Sequence, residues 1–213
     1  MEQRKSKRQA QAEATQELLL ATAHDVFAER GYQAATVGAI TSAANTAHGT
    51  FYLYFRNKED VFAKVMESVV LEMYDHTWSV EHLSGASPRD VLERTLRGYL
   101  EVFVRHAGIW RCLLEGAFTT PSIEAAWREL RGGFVSRVGK SLTVLQERGL
   151  IRDVDPDVTA NALGGMVEWA ATTQFVLRMP PVAETTFEET VATLTDLWYH
   201  ALFTDVTADK IKP

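Results

Sequence analysis

The chain has 213 residues, of which 46% are apolar, 10% aromatic and 23% charged, which is enough to bury a core of one large or two modest domains and excludes a disordered chain. Its one cysteine, Cys112, excludes an intrachain disulfide framework and a multi-cysteine metal site. The formal charge of −6 is unevenly placed, with seven Lys/Arg against five Asp/Glu in residues 1–58 and 15 against 23 in residues 59–213, so a small basic module on a larger acidic one is expected.

No window alternates apolar and polar residues as a strand would, whereas helical periods recur throughout. Residues 4–8 are basic and polar and read as a flexible arm. A first short helix carries Leu19, Ala23, Val26 and Phe27 on one face, with Gly31 as its stop. Thr36 caps a second, whose buried side is Val37, Ile40, Thr41 and Ala44. A third spans about 48–54 and ends at the polar break Arg56-Asn57. Phe62, Val65, Val69 and Met73 mark a fourth helix from Lys58 to roughly His82. After a loop at 83–86, Ser87 and Pro88 open a fifth with the stripe Leu92, Leu96, Tyr99, Phe103 and His106. Gly108, read as a flexible corner, separates it from a sixth at 109–118. Thr120-Pro121 starts a seventh with Ile123, Trp127, Leu130, Phe134, Val138, Leu142 and Leu145, ending at Gly149. Asp155-Pro156 opens an eighth, which Pro180-Pro181 closes, and the last carries Phe187, Val191, Leu194, Trp198 and Leu202. The expected fold is all-α: a three-helix domain with its arm at 1–57 and a larger six-helix domain at 58–213.

Two short helices joined by a tight turn have the arithmetic of a helix-turn-helix. Asn45 tolerates the positive φ such a turn needs. In the second helix Phe51 and Phe55 point into the small core. Gly49 and Leu53 face the other way, flanked by Thr50 and Tyr52 with His48 at the start, and no acidic group interrupts this face. It suits a major groove, where Gly49 admits close backbone approach and Thr50 or Leu53 can meet a thymine methyl. The helix starts at Thr36 and Lys58 offer amides to phosphates. The same faces also occur in three-helix bundles that never touch DNA.

The run Thr36-Val37-Gly38-Ala39-Ile40 through His48-Gly49-Thr50-Phe51-Tyr52-Leu53-Tyr54-Phe55-Arg56-Asn57-Lys58-Glu59 closely resembles the signature of TetR-type (tetracycline-repressor-like) transcriptional regulators. The resemblance covers about residues 14–65; beyond it only helix number and length are similar. It implies that Tyr52 and Lys58 clamp phosphates, that Thr36 caps onto the backbone, and that His48, Gly49, Thr50, Leu53 and Tyr54 lie on the recognition helix. Three positions depart from the family pattern: Asn45 where Gly is common, His48 where Lys or Arg is frequent, and Leu53 where His often sits. A neutral His48 shifts electrostatic work to Arg4, Lys5, Lys7 and Arg8, unless that arm is simply a solvated terminus.

The eighth helix is apolar nearly all round, with Val158, Ala162, Gly165 and Trp169 on one side and Met166, Ala170, Thr173 and Leu177 on another, so it must be covered on every side. The expected cover is the ninth helix and the same pair from a second chain, with Gly164, Gly165, Ala171, Val191, Leu194 and Trp198 at the interface. The family resemblance implies the same four-helix dimer, and a two-fold dimer reads a palindromic site. Aromatic residues in helices five to eight (Tyr99, Phe103, Trp110, Phe118, Trp127, Phe134 and Trp169), joined by His106, Met166 and Thr173, are candidate walls of a cavity for a small hydrophobic or aromatic effector, although much of such a set is ordinary core. Asn161 and Gln174 add polar groups to apolar stripes. Cys112 reads as a small buried hydrophobe before a redox sensor.

Catalysis has little support. Cys112 and His106 lack an orienting acid, Glu72 and His76 are a lone i, i+4 pair, and no Glu-x-x-His or Gly-rich phosphate loop occurs. No metal or other cofactor is expected. The longest apolar stretch, 160–177, is broken by Asn161, Glu168 and Gln174, and residues 1–8 are charged without an apolar run, so neither a membrane span nor a signal peptide is expected. The resemblance implies a cytoplasmic, ligand-responsive repressor that binds double-stranded DNA as a homodimer; the alternative is a sensor or interaction module of the same fold that no longer reads DNA.

Overall fold

Every regular element in the described residues, 7–75, 87–117 and 119–203 of the computed structural model, is helical. In chain order the α-helices are α1 (Lys7–Ala34), α2 (Val37–Ala43), α3 (His48–Phe51), α4 (Lys58–Asp75), α5 (Pro88–Arg105), α6 (Ala107–Ala117), α7 (Pro121–Glu147), α8 (Pro156–Ala171) and α9 (Phe187–Leu202). A π-helical turn, Thr172–Val176, and a 3₁₀ turn, Val182–Glu184, lie between α8 and α9.

The caps read from the sequence are in place. Thr36 accepts from the Ala39 amide at 3.1 Å, Ser87 from Asp90 at 3.1 Å and Asp155 from Val158 at 2.9 Å. Thr186 and Glu189 form a reciprocal capping box at the start of α9. The expected buried positions of α1, namely Leu19, Ala23, Val26 and Phe27, are all buried, and the helix kinks at Gly31, where φ is +77°. α1 is longer than expected. Residues 9–17 are mostly Ala, Gln and Glu, strong helix formers, and they carry the helix back to Lys7. Lys7 and Arg8 therefore stand exposed in its first turn and not in a flexible arm. Arg4, Lys5, Phe118, His76 and the expected loop at 83–86 lie outside the described residues.

The chain folds as two compact units that do not follow a single cut after residue 57. The first runs to Val69 and takes in Gly108–Trp127; the second comprises Val70–Ala107 and Arg128 onward. α4 and α7 each continue from one unit into the other. In the second unit α5 and α9 are the main packed pair, burying Leu92, Leu96 and Leu100 of α5 and Val191, Leu194, Trp198 and Leu202 of α9.

In the first unit α6 packs on α1 through three contacts that the sequence did not disclose. The Cys112 thiol donates to the Phe27 carbonyl at 3.1 Å. The Glu115 carboxylate accepts from the Tyr32 amide at 2.9 Å, just past the Gly31 kink. A Cβ on Gly108 would lie 2.8 Å from both the Cα and the carbonyl oxygen of Ala28. Gly108 is thus no flexible corner: it lies within α6 and permits backbone-to-backbone approach. Gly108→Ala is expected to destabilise the protein by about 1–3 kcal/mol, the cost of overpacking a site that cannot relax. A lower denaturant midpoint at unchanged slope is the check.

Candidate functional site

Thr41 and Ile40 bury the inner side of α2, and the chain reverses at Asn45 with φ +51°, the left-handed conformation expected there. The Thr46 amide closes the turn onto the Thr41 carbonyl at 2.9 Å. Regular α-helix then covers only four residues, His48–Phe51, where 48–54 was expected. Thr, Tyr and Phe are weak helix formers, and the chain tightens after Thr50: Leu53 and Tyr54 bond back three residues, to Thr50 and Phe51. Phe51 and Phe55 are fully buried and hold this turn, so its outer face is fixed even though the helix is short.

That outer face is as the sequence placed it. His48 and Gly49 are exposed, Thr50 and Tyr54 half-buried, Tyr52 is 53% exposed and Leu53 78% exposed. Nothing lies within 4 Å of where a Gly49 Cβ would be. His48 and Phe51 pack edge-on against the Tyr52 ring, at 5.5 and 5.4 Å between centroids. Lys58 behaves differently from a free phosphate clamp. Its ammonium donates to the Tyr32 carbonyl at 2.9 Å and sits 4.4 Å from the Tyr32 ring centre. An ammonium has three donors, so two remain after that bond.

The start of α4 is braced by contacts of the polar break Arg56-Asn57 with Asp60, a residue not singled out from the sequence. Asn57 Oδ1 accepts from the Asp60 amide at 2.8 Å, while the Asp60 carboxylate accepts from the Arg56 amide and guanidinium, both at 2.9 Å. The Arg56 side chain, and then its backbone N–H, hold the Asp60 carboxyl below the usual range. A depressed carboxyl stabilises the fold above its ordinary pKa and loses that contribution as pH falls. Asp60→Asn is therefore expected to lower the melting temperature at pH 7, with the gap to the unaltered protein closing below about pH 4.

The second unit holds a cavity between α5, α7, α8 and α9, with about 540 Å³ of empty space, part of it open to solvent. Its walls are Leu92, Thr95, Leu96, Tyr99, Phe134, Val138, Ser141, Gly164, Val167 and Trp198. Tyr99 and Phe134 are thus correctly placed, their rings 6.0 Å apart. Burial, and then Glu168, push the Tyr99 hydroxyl well above its usual pKa, so it stays protonated. The other expected wall residues lie elsewhere. Phe103 is fully buried behind Tyr99. His106 caps α5 and pairs with Glu72 at 2.9 Å. Trp110 and Trp127 pack edge-on against each other in the first unit. Met166 is half-buried outside the cavity wall, and Trp169 stands 61% exposed on the outer face of α8. Thr173 borders a second, more polar recess, formed with the π turn, the 3₁₀ turn and α9. Gln174 beside it is buried and bonded to Thr185 and Thr190, joining the π turn to α9.

The residues expected to meet a second chain are occupied within this one. Val191, Leu194 and Trp198 are buried, Gly164 lies against Phe134, Gly165 against the Arg131 guanidinium, and Ala171 is fully buried. These residues of α8 and α9 belong to this chain's own core, where α7 meets Gly164 and Gly165 and α5 packs on α9. Arg131 ion-pairs with Glu168 and also donates to the Asn161 carbonyl at 3.2 Å. What remains exposed is another stripe: Val158 at 66%, Ala162 and Trp169 on α8, and Leu197 at 50% on α9.

Cys112 is fully buried, and burial pushes its thiol up to about 12, so it is not a reactive thiolate. Among the described residues no group of three or more His, Cys, Asp and Glu side chains is placed to hold a metal ion, and no helix is long and apolar enough to cross a membrane.

Residues 19–65 match the family described as bacterial regulatory proteins, tetR family, and residues 85–172 match the tetracyclin repressor-like C-terminal domain. The chain is 24% identical over 186 residues to the HTH-type transcriptional regulator EthR of Mycolicibacterium smegmatis, covering 87% of this chain and 84% of that protein. Its fold is similar to that of a transcriptional regulator from Saccharomonospora viridis in complex with choline, with a TM-score of 0.70, 20% identity and coverage of 90% and 99% of the two chains. The SmeT–triclosan complex is similar in fold too, with a TM-score of 0.71, 20% identity and coverage of 91% and 94%.

Gly49 meets no neighbour that a methyl group would disturb. Gly49→Ala is therefore expected to raise stability by about 0.5–1 kcal/mol, the usual helix preference for Ala. The same change is expected to weaken retention on DNA, read by mobility shift on any fragment the protein selects.

Proposed function

The chain belongs to the TetR family of transcriptional regulators, and from that premise we propose that it is a ligand-responsive repressor that reads a palindromic operator as a dimer and is released by a small, uncharged hydrophobic or aromatic effector. The observation that carries the DNA reading is the outer face of 48–54: open space beyond Gly49, Tyr52 and Leu53 exposed, and no acidic side chain among them. A face of small, hydroxyl and apolar groups fits base edges and thymine methyls, while Thr36, Tyr52 and the remaining donors of Lys58 serve the phosphates. With His48 as the basic residue of this face, less of the affinity is electrostatic and the salt dependence is shallow. The basic residues at the start of the chain, Arg4, Lys5, Lys7 and Arg8, add to it if they reach the backbone.

The exposed stripe of Val158, Ala162 and Trp169, with Leu197 of α9, supports a dimer through the outer faces of these two helices, since exposed Trp and aliphatic patches are the composition of interface cores. The cavity supports the effector class. Its described wall carries no charged side chain, which suits a molecule such as the triclosan of one structural relative more than the choline of another. An effector releases DNA only through its different affinity for two states of the dimer, and reversing a 1:99 population takes roughly 5.5 kcal/mol of preference. α7 lines the cavity with Phe134, Val138 and Ser141 and has its first residues in the DNA-reading unit, which makes it the natural carrier of that preference.

The direct test is selection of fragments from the host genome with the purified protein at near-physiological salt. Enrichment of one or a few palindromic sites is expected; uniform recovery would refute specific DNA reading. Trp169→Glu or Leu197→Glu is expected to raise the dimer dissociation constant by about 30-fold or more, as for central interface residues worth ~2 kcal/mol. Sedimentation would then show monomer, and retention on the selected sites would fall with it.

A further inference from the structure

Two polar atoms in the interior of the second unit have no hydrogen-bond partner among the described residues: the Trp198 indole Nε1 and the Thr195 Oγ1. They lie three residues apart on α9, and so one turn apart on the same face, with residue exposures of 6% and 0%. Buried indole N–H groups ordinarily find an acceptor. Trp198 is at the same time a wall of the cavity, beside Tyr99 and Phe134 and the aliphatic side chains of Leu92, Leu96 and Val138. Apart from the hydroxyls of Thr95, Tyr99 and Ser141 the wall is aliphatic and aromatic, and Ser141 already donates to the Arg137 carbonyl, so the unmatched indole N–H of Trp198 is a group able to fix a ligand's orientation by a hydrogen bond. Charge is already spoken for: Arg131 and Glu168 are paired with each other, and Arg131 also with Asn161, so neither is left to balance an ionic ligand.

We propose that this cavity takes an uncharged, largely apolar molecule bearing a hydrogen-bond acceptor, such as a ketone, ester or ether oxygen, and that the acceptor binds the Trp198 indole N–H. The inference rests on the reading that the second unit senses a small molecule, and it adds the chemistry and the anchoring residue.

Matched probes isolate the hydrogen bond: benzophenone against diphenylmethane, acetophenone against ethylbenzene, and 4-benzoylbenzoate as the charged counterpart. Binding is measured on the full chain by thermal shift and by titration of the ¹⁵N-labelled indole resonances, one for each of the five tryptophans. At least one ketone is expected to bind about tenfold or more tightly than its hydrocarbon, a difference of one hydrogen bond to a buried donor. The Trp198 indole proton, identified by its loss in Trp198→Phe, moves downfield with the ketone only. In Trp198→Phe the ketone and its hydrocarbon bind equally, and the carboxylate binds neither protein. Equal binding of ketone and hydrocarbon to the unaltered chain, discrimination surviving in Trp198→Phe, preference for the carboxylate, or no binding of any probe overturns the proposal. If Trp198→Phe fails to fold, the ketone-dependent shift of an indole proton that contacts Leu92 and Tyr99 protons decides in its place. A ketone that binds through Trp198 yet leaves selected DNA bound keeps the site and refutes the effector reading. A lipophilic compound that releases DNA without disturbing Trp198 does the reverse.

Discussion

The end of α1 is the point on which the first unit depends, and a single residue there, Tyr32, is gripped from three sides. Gly31 turns the chain with φ +77°, which presents the Tyr32 amide to Glu115 of α6 and its carbonyl to Lys58 of α4. The Tyr32 hydroxyl donates to Glu59, and its ring stacks beside Phe27 and meets Phe62 edge-on. The amide and carbonyl bonds each involve a charged partner, which makes them about twice as strong as neutral ones. Lys58 also places positive charge at a helix C-terminus, where the backbone dipole favours it. α2 and α3 follow directly in the chain, so the orientation of the DNA-reading turn is set by where this one residue is held. Burial and Glu59 together push the Tyr32 phenol up to about 12, so the junction keeps its proton through the physiological range.

This arrangement gives Lys58 two claims on one ammonium. The resemblance to known regulators assigns it to a phosphate, and the structure bonds it to the Tyr32 carbonyl. The claims are compatible, because a phosphate can take a second proton of the ammonium while the first stays on the carbonyl. DNA contact at Lys58 would then bear on the same junction that fixes α6 through Glu115. A phosphate bound there and the α6 contact at Glu115 thus bear on the geometry of one residue, all within the first unit.

Much of this was legible in the sequence, and the reason differs from element to element. Caps and stops were legible because their chemistry is local: Thr36, Ser87 and Asp155 accept from amides three residues on, and Asn45 takes the left-handed φ of the turn itself. The core face of α1 and the outer face of 48–54 were legible because burial follows the helical period. Glu115, Gly108 and Cys112 were not, since their partners lie 80 or more positions away on α1 and no period announces them. Which apolar side chains line the cavity and which stay exposed was legible only in part, for a third reason. Trp169 and Trp198 are the same residue type on neighbouring helices with similar surroundings in sequence, yet one is exposed and the other lines a cavity. Apolar character tells that a side chain will be covered, and only packing tells by what. Gly164 and Gly165 look like sites for a second helix from another chain until Phe134 and Arg131 are seen to fill them.

The cavity is part of the core and not an annex to it. Leu92, Leu96, Val138 and Val167 line it and are themselves buried, and α5 and α9 meet across it. A ligand here must therefore act as additional core: it gains the packing that the empty space forgoes and satisfies an indole donor that is otherwise unmatched. Binding of that kind stabilises whichever arrangement of α5, α7, α8 and α9 leaves the space open, by an amount set by ligand concentration over its dissociation constant. Where such a ligand is the effector proposed above, stability and regulation draw on the same contacts. A mutation that fills the cavity should resemble bound effector in both respects, because each replaces empty volume with packed atoms against the same walls.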